Sequence, residues 1–393
     1  MRAISRFTVK IGVICLVFVF AQCKNNQENS VEQKSPTQEE QGVMEKTVFG
    51  TTPEGEQVEQ FILKNEHGME VKIITYGGRI TSLKVPDKAG NFEDVVLGFD
   101  DLELYLEENP FFGALIGRYG NRIAQGKFSL DGEEYTLARN NGENHLHGGE
   151  KGFDKVVWSV KESAKPNTLV LSYISEHMEE GYPGRLETFV TYTLNEDNSL
   201  DVVYEATTDR KTIVNLTQHA YFNLSGDFSE TILDHVIRIN ADEIVPVNEN
   251  LIPTGKFMSV NDTPFDFTDP KTIGSRIDAA HEQLEIADGY DHTWVLNGQD
   301  NKMTFAAVAW HPESGRKMEV FTTEPGMQFY TGNFLDGTLP LQYGEGTYEK
   351  RSGFCFETQH YPDSPNQESF PSVVLEAGET YSSKTSFRFS VEE

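Results

Sequence analysis

From about Met44 onward the hydrophobic positions recur at every second residue. Phe387, Phe389 and Val391 alternate with Ser386, Arg388, Ser390 and Glu392, the pattern of a strand with one buried face. Phe128 and Leu130 alternate with Lys127 and Ser129, and Asp131-Gly132 then turns the chain toward Tyr135 and Leu137, which predicts a hairpin. Two more hairpins are predicted. One joins the runs around Phe189 to Tyr192 and Val202 to Tyr204, and the other those around Phe305 to Trp310 and Met318 to Thr322. Aromatic and β-branched residues fill these runs, while glycine, proline and asparagine punctuate them. Helical periodicity is scarce, with short candidates only at 101–107 and 273–281. Many hairpin-linked strands without alternating helices predict an all-β fold, a large antiparallel sandwich or barrel. With no composition break or fixed-period repeat, residues 46–393 read as one domain.

The N-terminus breaks this pattern. Arg2, Arg6 and Lys10 precede an apolar run from Ile11 to Phe20, too short to span a bilayer and suited to the core of a secretory signal. Residues 1–22 read as a lipoprotein-type signal peptide, because Ala21-Gln22-Cys23 resembles a loose lipobox whose cysteine is acylated. Phe20 and Gln22 depart from the commonest form of that motif. Residues 23–45, rich in Asn, Gln, Glu and Ser, have little to bury and read as a disordered tether. The protein is therefore expected to be exported, on the periplasmic or cell-surface side, and to touch membrane only through a lipid on Cys23. Of the three cysteines, Cys15 would leave with the signal and Cys23 would be acylated, so Cys355 has no disulfide partner. Lys plus Arg number 33 against 62 Asp plus Glu, a net charge of -29 that argues against nucleic acid or an anionic lipid surface as a partner.

Four stretches place polar groups where packing does not call for them. The segment from Ile116 to Ile123 carries Arg118, Asn121 and Arg122 beside two glycines. Asn144 to Gly149 carries His145 and His147, read as lying on one side of an extended segment. Thr217 to Leu224 puts His219 in an otherwise strand-like run, and Ser352 to Gln359 embeds Glu357 among apolar neighbours. An isolated buried carboxylate is costly unless paired or used. Plainer readings exist for each: the arginines pair with surface acids, His219 is a satisfied core histidine, and Glu357 is half of a buried ion pair. The His-x-His spacing would suit a metal, but no third ligand is evident nearby, and no metal site is assigned. Singly, none of these decides a function.

Together they resemble the aldose 1-epimerase (galactose mutarotase) family. The resemblance rests on Gly117-Arg118-x-x-Asn121-Arg122-Ile123, Leu146-His147-Gly148-Gly149, His219-x-Tyr221-Phe222-Asn223-Leu224, Gly289-Tyr290-Asp291-His292, Pro325-Gly326-x-Gln328-Phe329-Tyr330 and Phe356-Glu357-Thr358-Gln359, in the family's order. It implies a galactose mutarotase-like β-supersandwich and interconversion of the α and β anomers of free hexoses such as glucose and galactose. Glu357 matches the family's base and His219 its acid, while Asn121, Arg122, His147, Tyr221, Asp291 and Gln328 match residues that hold sugar hydroxyls. Ring opening and closure need one base and one acid and no cofactor. A Ca²⁺ ion could sit on acidic surface loops, though no loop of recognised spacing indicates one. A monomer is the family default. Neighbouring carboxylates, Asp291 included, are expected to favour a charged His219. Trp294, Trp310 or other aromatic residues could supply a stacking wall. Gln218 and Thr293 depart mildly from the family pattern, and the signal departs more. Against this stand a non-catalytic sugar-binding lipoprotein, a glycan-active hydrolase or lyase with Asp291 as second carboxylate, and a hexose 6-phosphate epimerase. The last would want a basic cluster, which the acidic chain makes poor.

Overall fold

Two large antiparallel sheets dominate the structure, a computed structural model that describes residues 44–298 and 302–392. The signal, Cys23 and nearly all of the tether lie outside the described residues. The first strand, Glu45–Thr51, begins at the tether's expected last residue. In spatial order the nine-stranded sheet is Ser159–Lys161, Thr168–Ser175, Leu186–Leu194, Ser199–Thr208, Thr380–Val391, Arg316–Thr322, Thr304–Trp310, Val236–Ile239 and Lys271–Thr272. The six-stranded sheet is Tyr221–Phe222, Phe354–Gln359, Gly326–Tyr330, Asp291–Leu296, Ala241–Val245 and Met258–Ser259. A five-stranded sheet spans 45–94. The fold is all-β and sandwich-like.

Alternation along the strands builds the core. On the six-stranded sheet, Trp294, Met327, Phe329, Phe354 and Phe356 share one buried cluster with Met318, Val320, Phe387 and Phe389 of the nine-stranded sheet. Phe222 and Phe387 meet across the layers with ring centroids 5.5 Å apart. Burying each such side chain contributes about 1.5–3 kcal/mol. The period of two then sends the intervening residues to the opposite face of the six-stranded sheet. Those residues are Tyr221, Cys355, Glu357, Gln328, Tyr330, Asp291 and Thr293.

The predicted hairpins form. Lys127–Leu130 pairs with Glu133–Thr136, and Asp131 and Gly132 both have positive φ (51° and 84°), as a two-residue turn of type I′ requires. Leu186–Leu194 pairs with Ser199–Thr208, and Thr304–Trp310 with Arg316–Thr322. In the last strand Phe387 and Phe389 are buried but Val391 is exposed, because it lies at the end of the ladder, opposite Arg316. The helix expected at 101–107 is Leu102–Leu106, capped by the Asp101 carboxylate, which accepts from the Glu103 amide at 2.9 Å. The one expected at 273–281 is misplaced. There Ile273–Ser275 is a single 3₁₀ turn, and the helix is Glu282–Ala287, with His281 as its N-cap. Ile273 and Ile277 mimic a helical stripe, but both anchor an irregular connection into the core.

Candidate active site

One face of the six-stranded sheet carries the chemistry in two cross-strand rows. Thr293, Gln328 and Glu357 are directly opposite one another on three adjacent strands, and Asp291, Tyr330, Cys355 and Tyr221 form the next row across four. Directly opposed side chains in such a ladder lie about 4.5–5.5 Å apart, so register alone gathers these groups. His219 arrives from outside this sheet, on Thr217–His219, which pairs with Ala114–Ile116. Asn121, Arg122 and His147 come from two loops stitched by the short ladder of Arg122–Ile123 with His145–Leu146.

That stitching depends on glycine. A Cβ on Gly148, whose φ is +89°, would lie 1.9 Å from the Gly117 carbonyl oxygen, so only glycine lets the two loops close. His147 itself has a positive φ of 49°, which turns its ring away from that of His145. The two imidazoles therefore do not form a pair, contrary to the extended reading of this segment. His145 points into packing, with Nδ1 at 2.8 Å from the Ala138 carbonyl and Nε2 bonded to the Tyr182 hydroxyl. Arg118 is also structural. It is 2% exposed, and its guanidinium donates to the carbonyls of Pro183, Gly184 and Ser175, with no acidic partner among the described residues.

The remaining groups converge on a small cleft of about 120 Å³, lined by Pro110, Phe111, Asn121, Arg122, Leu146, His147, His219, Tyr221, Asp291, Tyr330, Phe334 and Glu357. Of the eight catalytic and sugar-binding positions inferred from sequence, only Gln328 is outside this lining. It stands behind Asp291, donating from Nε2 to Oδ1 at 2.6 Å. Arg122 Nη1 approaches the other carboxylate oxygen at 3.8 Å. At the floor, His219 Nε2 lies 3.6 Å from Glu357 Oε1, and Glu357 Oε2 is buried with no hydrogen-bond partner among the described residues. The His219 ring stacks on Tyr221 at 5.1 Å and 27°.

The sequence reading missed the aromatic rim. Phe111 covers the rings of His147 and His219 with centroids 4.7 and 5.8 Å away, held by a left-handed backbone (φ 63°). Tyr330 and Phe334 stack at 6.0 Å, and Phe334 is 57% exposed at the mouth. Trp294 is instead a core residue whose indole donates to the Phe265 carbonyl, and Trp310 lies on the nine-stranded sheet, away from the cleft. The Pro110-Phe111 pair gives a positional hint only in retrospect, because proline marks a loop but not the direction in which the loop points.

Burial sets the electrostatics. It pushes Glu357 well above the ordinary carboxylate range, Asp291 adds to the rise, and Arg122 opposes it. Burial likewise pulls His219 down to about 3. The imidazole is thus neutral in the free cleft, and the expected charging by nearby carboxylates is overruled by desolvation. Both shifts favour the uncharged forms, so the pair holds one proton over a wide range of pH. Asp291 is also raised by burial, against the pull of Arg122 and Gln328.

His147, His219 and Glu357 each offer one ligand atom within 4.8 Å of the others, a set that could be mistaken for a cation site. The His147 ring argues otherwise. The Asn121 amide donates to His147 Nδ1 at 3.2 Å, which requires a lone pair there and leaves the proton on Nε2. Burial keeps this ring neutral, with its pKa far below the usual value. His147 therefore presents an N–H donor to the cleft, suited to an oxygen acceptor and unsuited to a metal.

A polar floor with one proton, ringed by hydrogen-bonding side chains and aromatic walls, has the chemistry to take a small polyhydroxylated ligand. Comparison with known proteins gives the same class. The model of the family described as aldose 1-epimerase matches residues 59–388. The chain is 50% identical to the galactose mutarotase of Bos taurus over 347 residues, 88% of this chain and 98% of that protein. It is 37% identical to the aldose 1-epimerase of Escherichia coli (strain K12) over 342 residues, 86% of this chain and 97% of the relative. Among solved structures, an aldose epimerase homologue from C. elegans superposes with a TM-score of 0.78 at 31% identity, covering 85% of this chain and 99% of its own. The site and these likenesses agree, and the chain belongs to the aldose 1-epimerase family.

Proposed function

We propose that the cleft binds a free aldohexose, such as galactose or glucose, and that Glu357 and His219 interconvert its anomers by passing protons at O1 and O5. The protein acts as an isomerase of hexose anomers. The observation that carries the assignment of roles is the 3.6 Å approach of His219 Nε2 to Glu357 Oε1, with Glu357 Oε2 left without a partner among the described residues. Mutarotation begins when a base removes the O1 hydroxyl proton and an acid protonates the ring oxygen, so that the C1–O5 bond opens to the aldehyde. Rotation about C1–C2 exposes the other carbonyl face, and closure with reversed transfers gives the other anomer. Glu357 is the base and His219 the acid. In the free cleft their single proton rests on the carboxyl side, since burial favours the uncharged forms. A sugar that offers its hydroxyls to Glu357 replaces part of the lost solvation, which favours the carboxylate and the imidazolium needed for the reaction.

The surroundings fit these steps. His147 Nε2–H and the Arg122 guanidinium are donors toward developing negative charge on sugar oxygens. Asp291 accepts from ring hydroxyls, and Phe111 and Tyr330 cover the apolar faces of the ring. The chemistry runs on side-chain protons, without a metal or redox cofactor. The direct test follows the optical rotation of freshly dissolved α-D-galactose and α-D-glucose with catalytic amounts of protein. Relaxation faster than buffer, and unchanged by a chelator, supports the reading; a rate equal to buffer ends it. Export and anchoring through Cys23 form part of the same proposal, supported by the N-terminal signal pattern. Palmitate labelling of the full chain that is lost in Cys23→Ala supports the anchor, and equal labelling refutes it.

A further inference from the structure

We infer that Thr293, which touches neither sugar nor proton, is a positioning residue for substrate binding: its hydroxyl orients Gln328, and Gln328 fixes Asp291 for a ring hydroxyl. The inference rests on the reading of the cleft as a hexose site. Thr293, Gln328 and Asp291 are 2%, 3% and 8% exposed, and Thr293 stands directly opposite Gln328 on the neighbouring strand. A carboxylate only accepts hydrogen bonds, so Gln328 must turn its NH₂ toward Asp291, where the Nε2 to Oδ1 distance is 2.6 Å. That orientation sends the amide oxygen away from the cleft, into a buried place where it needs a donor. Thr293 Oγ1 is that donor at 2.5 Å, and among the described residues it makes no other hydrogen bond.

The direction of the chain is thus determined from one end to the other: hydroxyl to amide oxygen, amide nitrogen to carboxylate. Asp291 Oδ2 remains beside Arg122 at the lining of the cleft, ready to accept from the ligand. Without the Thr293 hydroxyl, Gln328 either buries an unpaired oxygen or flips and points that oxygen at Asp291. The first leaves the amide that holds the carboxylate without support for its orientation, the second removes the donor outright, and both weaken ground state and transition state alike.

Steady-state mutarotation of galactose by Thr293→Val, Thr293→Ser and the unmutated protein decides the matter, with thermal melts confirming folding. The expected result for Thr293→Val is a KM raised about tenfold with kcat within about twofold of the unmutated value, and near-complete recovery of KM in Thr293→Ser. Thr293→Ala, which cannot crowd the site, should match Thr293→Val. A merely structural role would lower the melting temperature and the active fraction without this split between KM and kcat. An unchanged KM in the valine and alanine variants, or a serine variant as impaired as they are, overturns the inference while the sugar reading stands. An unmutated protein without activity overturns the sugar reading, and the inference with it.

Discussion

Two glutamate–histidine pairs, one fully buried and one with a partly exposed histidine, lie at opposite ends of one short stretch of chain and behave in opposite ways. Glu324 and His360 meet at 2.7 Å, and Glu324 also accepts from the Tyr381 hydroxyl at 3.3 Å. Burial acts against both charges, yet the carboxylate is lowered and the imidazole raised, because each is held by the other. Glu357 and His219 stand at 3.6 Å, beyond a hydrogen bond, and one carboxylate oxygen has no partner among the described residues. There burial prevails, and both groups shift toward their neutral forms. The same two residue types therefore make a satisfied strut in one place and a site awaiting a ligand in the other. Desolvation is common to both pairs; what separates them is the supply of hydrogen bonds.

The largest effect expected from this difference is on rate. Glu357→Gln should lower kcat for mutarotation by about 10²–10⁴-fold, the usual contribution of a positioned general base. Glu324→Gln should leave kcat within a few-fold when assayed well below its melting temperature. Comparable losses in both variants would erase the distinction.

Stability should respond in the reverse sense. Removing one partner of the satisfied pair costs about 3–5 kcal/mol, so Glu324→Gln should melt well below the unmutated protein near pH 6. Glu357 has its pKa raised in the folded state, so folding binds the proton more tightly than the unfolded chain does. Its presence therefore costs stability increasingly as pH rises above the ordinary glutamate value of about 4.3. Glu357→Gln should accordingly melt at or above the unmutated protein at pH 8. Calorimetry of the two variants checks both signs, and a large drop for Glu357→Gln at pH 8 would contradict the account.

The pH dependence is the subtler consequence. The depressed His219 costs stability as pH falls from about 6.5 toward 3, whereas the raised His360 stabilises below about 6.5 and loses that contribution as pH rises through its folded value. Activity should follow the one-proton state of the catalytic pair. The acid limb of kcat/KM should fall well below pH 6.5, where His219 takes a second proton, and the alkaline limb above the ordinary glutamate range, where Glu357 loses the only one. An acid limb centred near pH 6.5 would show that His219 is not shifted as its burial requires.

Much of this was legible in the amino acids. Alternation in runs such as Phe387–Phe389 and hairpin punctuation such as Asp131-Gly132 locate strands directly, because local chemistry selects them. The family motifs named Glu357, His219, Arg122, Asn121, His147, Tyr221 and Asp291, all of which line the cleft. What escaped depends on direction rather than identity. His145 and His147 look alike in sequence, and a positive φ at His147 sends them to different surroundings. Phe111 and Phe334 belong to loops whose course no periodicity encodes. Gln328 reads from its motif as a sugar ligand, and only the structure shows that its amide also holds Asp291. Thr293 looked like a harmless departure, and only the ladder reveals that it faces Gln328. The misplaced helix at 273–281 has the same origin, since buried Ile273 and Ile277 serve a connection as readily as a helix.

The most direct test of the central claim is a crystal structure of Glu357→Gln with galactose bound. The account predicts C1 seated between residue 357 and His219, with O1 and O5 each within about 3–3.5 Å of one of those two side chains. A hexose bound elsewhere, or one held in the cleft with its anomeric carbon turned away from both, would contradict it.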